Sequence, residues 1–185
     1  MTKILDVGCG HKKRPGAVGI DILEDSDADI VHDLNSFPWP IDDDEFDVIY
    51  ATHVLEHLED VIKIMEELHR ILKPGGRLII ETPHYTSWNA YTDPTHRRFF
   101  GFRSFNYFIE GTCEERLQYS DVRFKLIHVF LGNRRGQKKP DWKKPLEAIF
   151  LKMINRLPGL YEKRWAFIRP VQNIYLELQA VKDSS

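Results

Sequence analysis

The run Ile4-Leu5-Asp6-Val7-Gly8-Cys9-Gly10 constrains the fold more than any other stretch of the chain. Its first four residues suffice for a short buried strand, and two glycines one residue apart end it. Glycine permits the sharp bend, and a backbone without Cβ atoms lets a ligand lie directly on it. A second strand follows at 18–22, and Asp21 stands near its end, eleven residues after Gly10. A carboxylate at the end of the second strand of an α/β sheet can accept from both hydroxyls of a ribose. After a third strand at 30–34, Asp33 stands where the amino group of an adenine could be read, with Leu34 against the ring.

The remaining pattern extends this plan. Residues 46–51 read as a fourth strand, and 59–72 repeat Val61, Ile62, Met65, Leu68, Ile71 and Leu72 at helical spacing. Lys73-Pro74-Gly75-Gly76 stops that helix before a fifth strand at 77–82. A sixth strand is expected at 124–131, a helix at 145–157 and a last strand at 174–181. Short strands alternating with turns or helices, several wholly apolar, argue for a mostly parallel α/β sheet in one domain spanning 1–185. Residues 83–121 are aromatic, polar and irregular apart from a short helix at 103–110, which suits a substrate lid inserted after a central strand.

Charge is unevenly spread. Residues 21–60 hold fourteen Asp/Glu and no Lys or Arg, whereas 133–170 hold eleven Lys/Arg and three Asp/Glu. The basic segment also carries Trp142, Tyr161, Trp165 and Phe167. Such a mixture suits peripheral contact with a membrane surface, a lipid-linked acceptor or nucleic acid; two solvated faces are the plainer reading. The apolar face of the 145–157 helix is expected to pack on the sheet. Cys9 and Cys113 fit no metal or redox spacing, no apolar run reaches ~18 residues, and the N-terminus lacks a signal-peptide core. These features point to a reducing, cytoplasmic setting.

Taken in order, LDVGCG at 5–10, Gly19-Ile20-Asp21, the spacing from Asp33 through Pro40 to Phe46-Asp47-Val48, ATHVLEHLED at 51–60 and LHRILKPGGRLIIETP at 68–83 resemble the class I S-adenosylmethionine-dependent methyltransferases. The likeness covers roughly residues 3–84. It implies a three-layer, Rossmann-like sandwich with a mostly parallel seven-stranded sheet and an antiparallel last strand. S-adenosylmethionine is the implied cofactor, contacted by Asp6, Gly8, Cys9, Gly10, Asp21, Ile22, Asp33, Leu34, Thr52 and His53. Asp6 would orient the cofactor's ammonium end. A nicotinamide cofactor is disfavoured, because Lys13 stands where the G-x-G-x-x-G fingerprint needs its third glycine. One departure from the family is plain: only His11 to Val18 separate the glycine turn from the second strand, too few for the usual helix.

The implied reaction is methyl transfer to oxygen or nitrogen of a small-molecule or saccharide acceptor. An RNA or protein methyltransferase is the alternative enzyme, and a non-catalytic cofactor-binding partner subunit the alternative of another class. Proton removal from the acceptor needs a base, and the polar stretch after the fifth strand offers His84 or His96, with Asp93 to orient it. Arg97 and Arg98 would hold an anionic part of the acceptor. His53, Glu56 and His57 resemble a Glu-x-x-Glu-His metal site of some members, with His53 in place of the first Glu. Metal-free relatives carry Glu-His here too, so no metal is expected.

Overall fold

The computed structural model describes residues 2–132 and 145–182. Trp142 and the cations of 133–144 therefore lie outside the described residues. Seven strands form one sheet: β1 Ile4–Val7, β2 Val18–Asp21, β3 Ile30–Val31, β4 Phe46–Thr52, β5 Leu72–Pro83, β6 Arg123–Leu131 and β7 Asn173–Val181. Their order is β3-β2-β1-β4-β5-β7-β6. β1 to β5 pair in parallel, and β7 runs antiparallel to both β5 and β6, so the expected antiparallel last strand is present.

Register explains which side chains are buried. Leu5 lies opposite both Val18 and Ile49, and Val7 opposite Ile20 and Ala51. With a side-chain period of two, Leu5, Val7, Ile49, Ala51, Leu78 and Ile80 share one face, and each is at most 1% exposed. The alternate positions Asp6, Tyr50, Glu81, Tyr175 and Glu177 fall on the other face. The sheet therefore has one oily face and one mixed face, and the mixed face carries chemistry.

Helix α1, Val61–Ile71, links β4 to β5 and buries Ile64, Met65, Leu68 and Ile71. Asp60 caps it, its carboxylate accepting from the amides of Ile62 and Lys63. Buried Glu67 projects from the same helix, accepts from the Trp39 amide at 2.7 Å and binds Arg70, whose guanidinium also reaches the Trp39 carbonyl. That cluster anchors the turn-rich 35–45 loop beneath the sheet edge. No helix stands between β1 and β2. The link is a loop, as its length requires.

Three details differ from the sequence reading. The 103–110 helix contracts to one 3-10 turn at Asn106–Phe108, because Thr112 takes the carbonyls of Asn106 and Ile109. A further helix follows α3 (Pro145–Arg156): α4, Pro158–Arg164, with Pro158 in its first turn, where a missing N–H costs nothing. A one-turn helix α2, Asn89–Thr92, sits in the 83–121 stretch. The apolar face expected to cover the sheet is also only partly used. α3 buries Ile154 and tucks Phe150 and Leu151 inward, while Leu146, Ile149, Met153 and Leu157 are 42–76% exposed. The helix is apolar on two sides, and the sheet can cover only one of them.

Glu67→Ala should cost about 3 kcal/mol, because it leaves the buried Trp39 amide without an acceptor and reduces Arg70 to its exposed partner Asp43 and the Trp39 carbonyl. Urea unfolding followed by circular dichroism measures this, and a loss below ~1 kcal/mol would show that the 35–45 loop is anchored by other contacts.

Candidate active site

The C-terminal ends of β1, β2 and β4 meet at the glycine turn. Gly8 has a positive φ, and a Cβ there would lie 2.6 Å from the Val54 side chain, so only glycine fits. Gly10 is also left-handed, but a Cβ there would meet nothing within 4 Å; the turn is open on its outer side. Asp21 fixes this opening. One carboxylate oxygen accepts the Gly10 amide at 2.8 Å and the other the Leu23 amide at 3.0 Å. Each oxygen keeps a second acceptor direction free, as a diol requires.

Asp6 and Arg14 lie beside the turn. The Arg14 amide donates to Asp6 Oδ2 at 2.8 Å, and Arg14 Nε lies 3.5 Å from Asp6 Oδ1. The guanidinium stacks 3.9 Å over the Tyr50 ring and donates to Thr52 Oγ1 at 3.0 Å. Arg14 Nε is buried without a hydrogen-bond partner. An anionic and a cationic side chain thus stand together at one strand end, with a donor to spare. That pair matches an amino-acid zwitterion, and with Asp21 the set fits a cofactor that joins an amino acid to a nucleoside. Sequence reading missed Arg14, because no spacing marks a loop residue that folds back over a strand.

The other expected cofactor residues fall as follows. Asp33 has one oxygen on the Asn35 amide. Leu34 is buried, and its carbonyl accepts the Trp39 indole N–H. Ile22 is 58% exposed beside Asp21. His53 follows β4 in a left-handed conformation (φ 53°), a strain on the order of 1 kcal/mol for a residue with a Cβ. Its amide donates to the Glu81 carbonyl, its Nδ1 lies 3.2 Å from buried Glu56, and its Nε2 faces Asn173 and Glu81. Cys9 is buried in the turn; burial first, then Asp21 and Asp6, push its thiol up to about 11.

Beyond β4 and β5 lies a cavity of about 520 Å³ lined by His53, Glu56, His57, Asn89, Asp93 and His96 among others. Its hydrogen bonds decide which ring nitrogens are free. Thr95 Oγ1 donates its only proton to Asp93 at 2.7 Å, so it accepts from His57 Nδ1 at 2.8 Å. His96 Nδ1 can only donate to the Ala90 carbonyl, 3.0 Å away. In its neutral form each ring therefore presents Nε2 as its acceptor. The Thr95 hydroxyl and amide hold the Asp93 carboxyl below its usual range. Asp93 thus orients His57 through Thr95, rather than His96 as the sequence suggested. Glu56, His57 and His96 each bring a ligand atom within 4.8 Å of the others, a set able to hold a divalent ion.

His84 is placed differently from the expectation that it serves as a base. It is wholly buried; its Nδ1 takes the Thr86 amide and its Nε2 donates to Glu162 at 3.0 Å. No ring nitrogen is left to accept a proton, so His84 ties α4 to the end of β5. Arg97 and Arg98 are also engaged elsewhere, on the Glu59 side chain and carbonyl respectively.

The profile of a methyltransferase-domain family matches residues 2–130. Among curated relatives, the chain is 44% identical over 41 residues to sterol 4-C-methyltransferase strm-1 of Caenorhabditis elegans, covering 22% of this chain and 12% of that one. It is 30% identical over 106 residues to the chloroplastic tocopherol O-methyltransferase of Arabidopsis thaliana, covering 44% and 30%. The chain thus spans less than a third of the length of either relative. A solved S-adenosylmethionine-dependent methyltransferase from Mesorhizobium loti superposes with a TM-score of 0.52 at 18% identity, covering 96% of this chain and 90% of that one, which shows a shared fold.

Cys9 should resist iodoacetamide at pH 8, because raising a thiol's pKa depletes the nucleophilic thiolate, while exposed Cys113 is alkylated. Peptide mass spectrometry reads both sites; Cys9 labelling as fast as Cys113 would contradict the burial.

Proposed function

The chain belongs to the methyltransferase-domain family of S-adenosylmethionine-dependent enzymes, and on that premise we propose that it methylates oxygen or nitrogen of a small molecule, a saccharide included. One observation carries this reading: the cavity beyond β4 and β5 presents two histidine Nε2 acceptors, His57 and His96, next to a strand-end cradle suited to the cofactor. The sterol and tocopherol enzymes among the relatives support a small-molecule acceptor.

Bound S-adenosylmethionine supplies a methyl group already activated by its sulfonium, which leaves the protein to position the acceptor and remove its proton. Asp21 takes the ribose hydroxyls, with Asp33 and Leu34 at the adenine. Asp6 pairs with the ammonium and Arg14 with the carboxylate of the amino-acid end. His57 Nε2 accepts the acceptor's proton. The charge that develops on its ring is stabilised through Nδ1, Thr95 and Asp93, a neutral hydroxyl standing between the imidazole and the carboxylate. His96 Nε2 accepts a second hydrogen bond and orients the acceptor. The 83–121 segment supplies Asn89, Thr92, Asp93 and His96 to the cavity wall and acts as its cover.

Calorimetry tests the cofactor half without knowledge of the acceptor. S-adenosylhomocysteine should bind, and Asp21→Ala should weaken it by roughly tenfold or more. Arg14→Ala should weaken S-adenosylhomocysteine by about 10–100-fold yet leave 5′-methylthioadenosine, which lacks the amino-acid end, unchanged. Equal losses for both ligands would place Arg14 elsewhere. For the acceptor half, His57→Gln should lower turnover by about a hundredfold at unchanged S-adenosylhomocysteine affinity, and unchanged turnover would remove His57 as the base.

A further inference from the structure

We propose that the outward face of α3, α4 and the turn after them docks on an anionic lipid bilayer. Leu146, Ile149, Met153 and Leu157 recur at helical spacing along α3 and form one exposed stripe. Phe167 and Ile168, in the turn after α4, extend the oily surface at 76% and 81% exposure. So many large apolar side chains facing water mark an interaction surface rather than an ordinary exterior.

The charges beside the stripe indicate what covers it. Lys152, Arg156, Lys163 and Arg164 are all exposed and form no ion pair among the described residues. Glu162 is turned inward onto His84 and the Phe102 amide, which leaves the outer side of α4 to its cations. Exposed Trp165 stands among them, an amphipathic ring of the kind that settles at a headgroup boundary. Apolar side chains flanked by unpaired Lys and Arg suit acyl chains below and anionic headgroups around them. A second copy of the chain suits the face less well, because a two-fold contact would set this cationic rim against itself.

A ring contact ties the face to the segment that walls the cavity. Phe167 packs edge-on against Tyr85 at 5.6 Å, and the 85–99 stretch that follows carries the cavity residues Asn89, Thr92, Asp93 and His96 together with exposed Trp88, Tyr91 and Phe99. Docking there would present the cavity's cover to the bilayer. No helix among the described residues is long and apolar enough to cross a membrane, so the contact is peripheral.

Co-sedimentation of the full chain with phosphatidylcholine vesicles containing phosphatidylglycerol, against phosphatidylcholine alone, tests this. Binding is expected only to the anionic vesicles, and rising salt should weaken it. Lys163→Glu with Arg164→Glu should lower binding by about tenfold or more. Ile149→Ser with Phe167→Ser should do the same, with thermal melts confirming that both variants fold. The proposal fails if the chain ignores anionic vesicles or if neither variant matters. It also fails if light scattering finds a dimer that Ile149→Ser dissolves, since the face would then be covered by a second copy.

Discussion

The two hydrogen bonds accepted by Asp21 hold the glycine-turn end of the sheet together. One carboxylate, carried on the last residue of β2, fixes the amide of Gly10 in the preceding turn and that of Leu23 in the following loop. With no helix between β1 and β2, side chains set the turn: Asp21 is helped by Asp29, which accepts from both Gly19 and Lys13. Asp33, Glu45, Asp47 and Asp60 likewise take up backbone amides, so part of the acidic 21–60 stretch serves the backbone.

Buried carboxylates organise the second half of the site in the same way. Glu56 and Glu81 are 1% and 8% exposed and flank His53, so each needs donors to remain in place. Glu56 receives Thr82 and His53, and Glu81 receives Asn173 from β7. Asn173 is thus the point where the antiparallel strand contacts the chemistry. Because these groups bridge β4, β5 and β7, the end of the sheet is set by polar pairing as much as by packing.

β1, β2 and the core of β5 were legible as short apolar runs bounded by glycine, proline or acidic residues, β7 by its alternation, and α1 because its apolar positions repeat at 3.6. The glycine turn and the place of Asp21 at the end of β2 were legible for the same reason: both follow from position on a strand. His84 was misjudged because sequence places it one residue beyond β5, beside the cavity, but cannot show that Glu162, 78 residues away, closes over its ring. Arg14 and the Asp93-Thr95-His57 relay were missed on similar grounds. Both depend on contacts across 38 residues of sequence, between loops without periodicity. The outward side of α3 was misread because an apolar stripe is the same in sequence whether a sheet covers it or not.

That last ambiguity has a physical resolution in the helix itself. A helix that only covers a sheet needs one apolar stripe, and polar residues elsewhere favour solubility. α3 has its inward contacts in Phe150, Leu151 and Ile154, with Asn155 locking the helix to the backbone of Leu131 at 2.6 and 3.0 Å. The docking of α3 is therefore complete without Leu146, Ile149, Met153 or Leu157. Those four stay exposed, while Arg169 stacks 3.8 Å over Phe150, one of the inward contacts. Their stripe is flanked by Lys152 and Arg156, which form no ion pair among the described residues. An exposed apolar stripe beside cations is the composition that suits a headgroup interface.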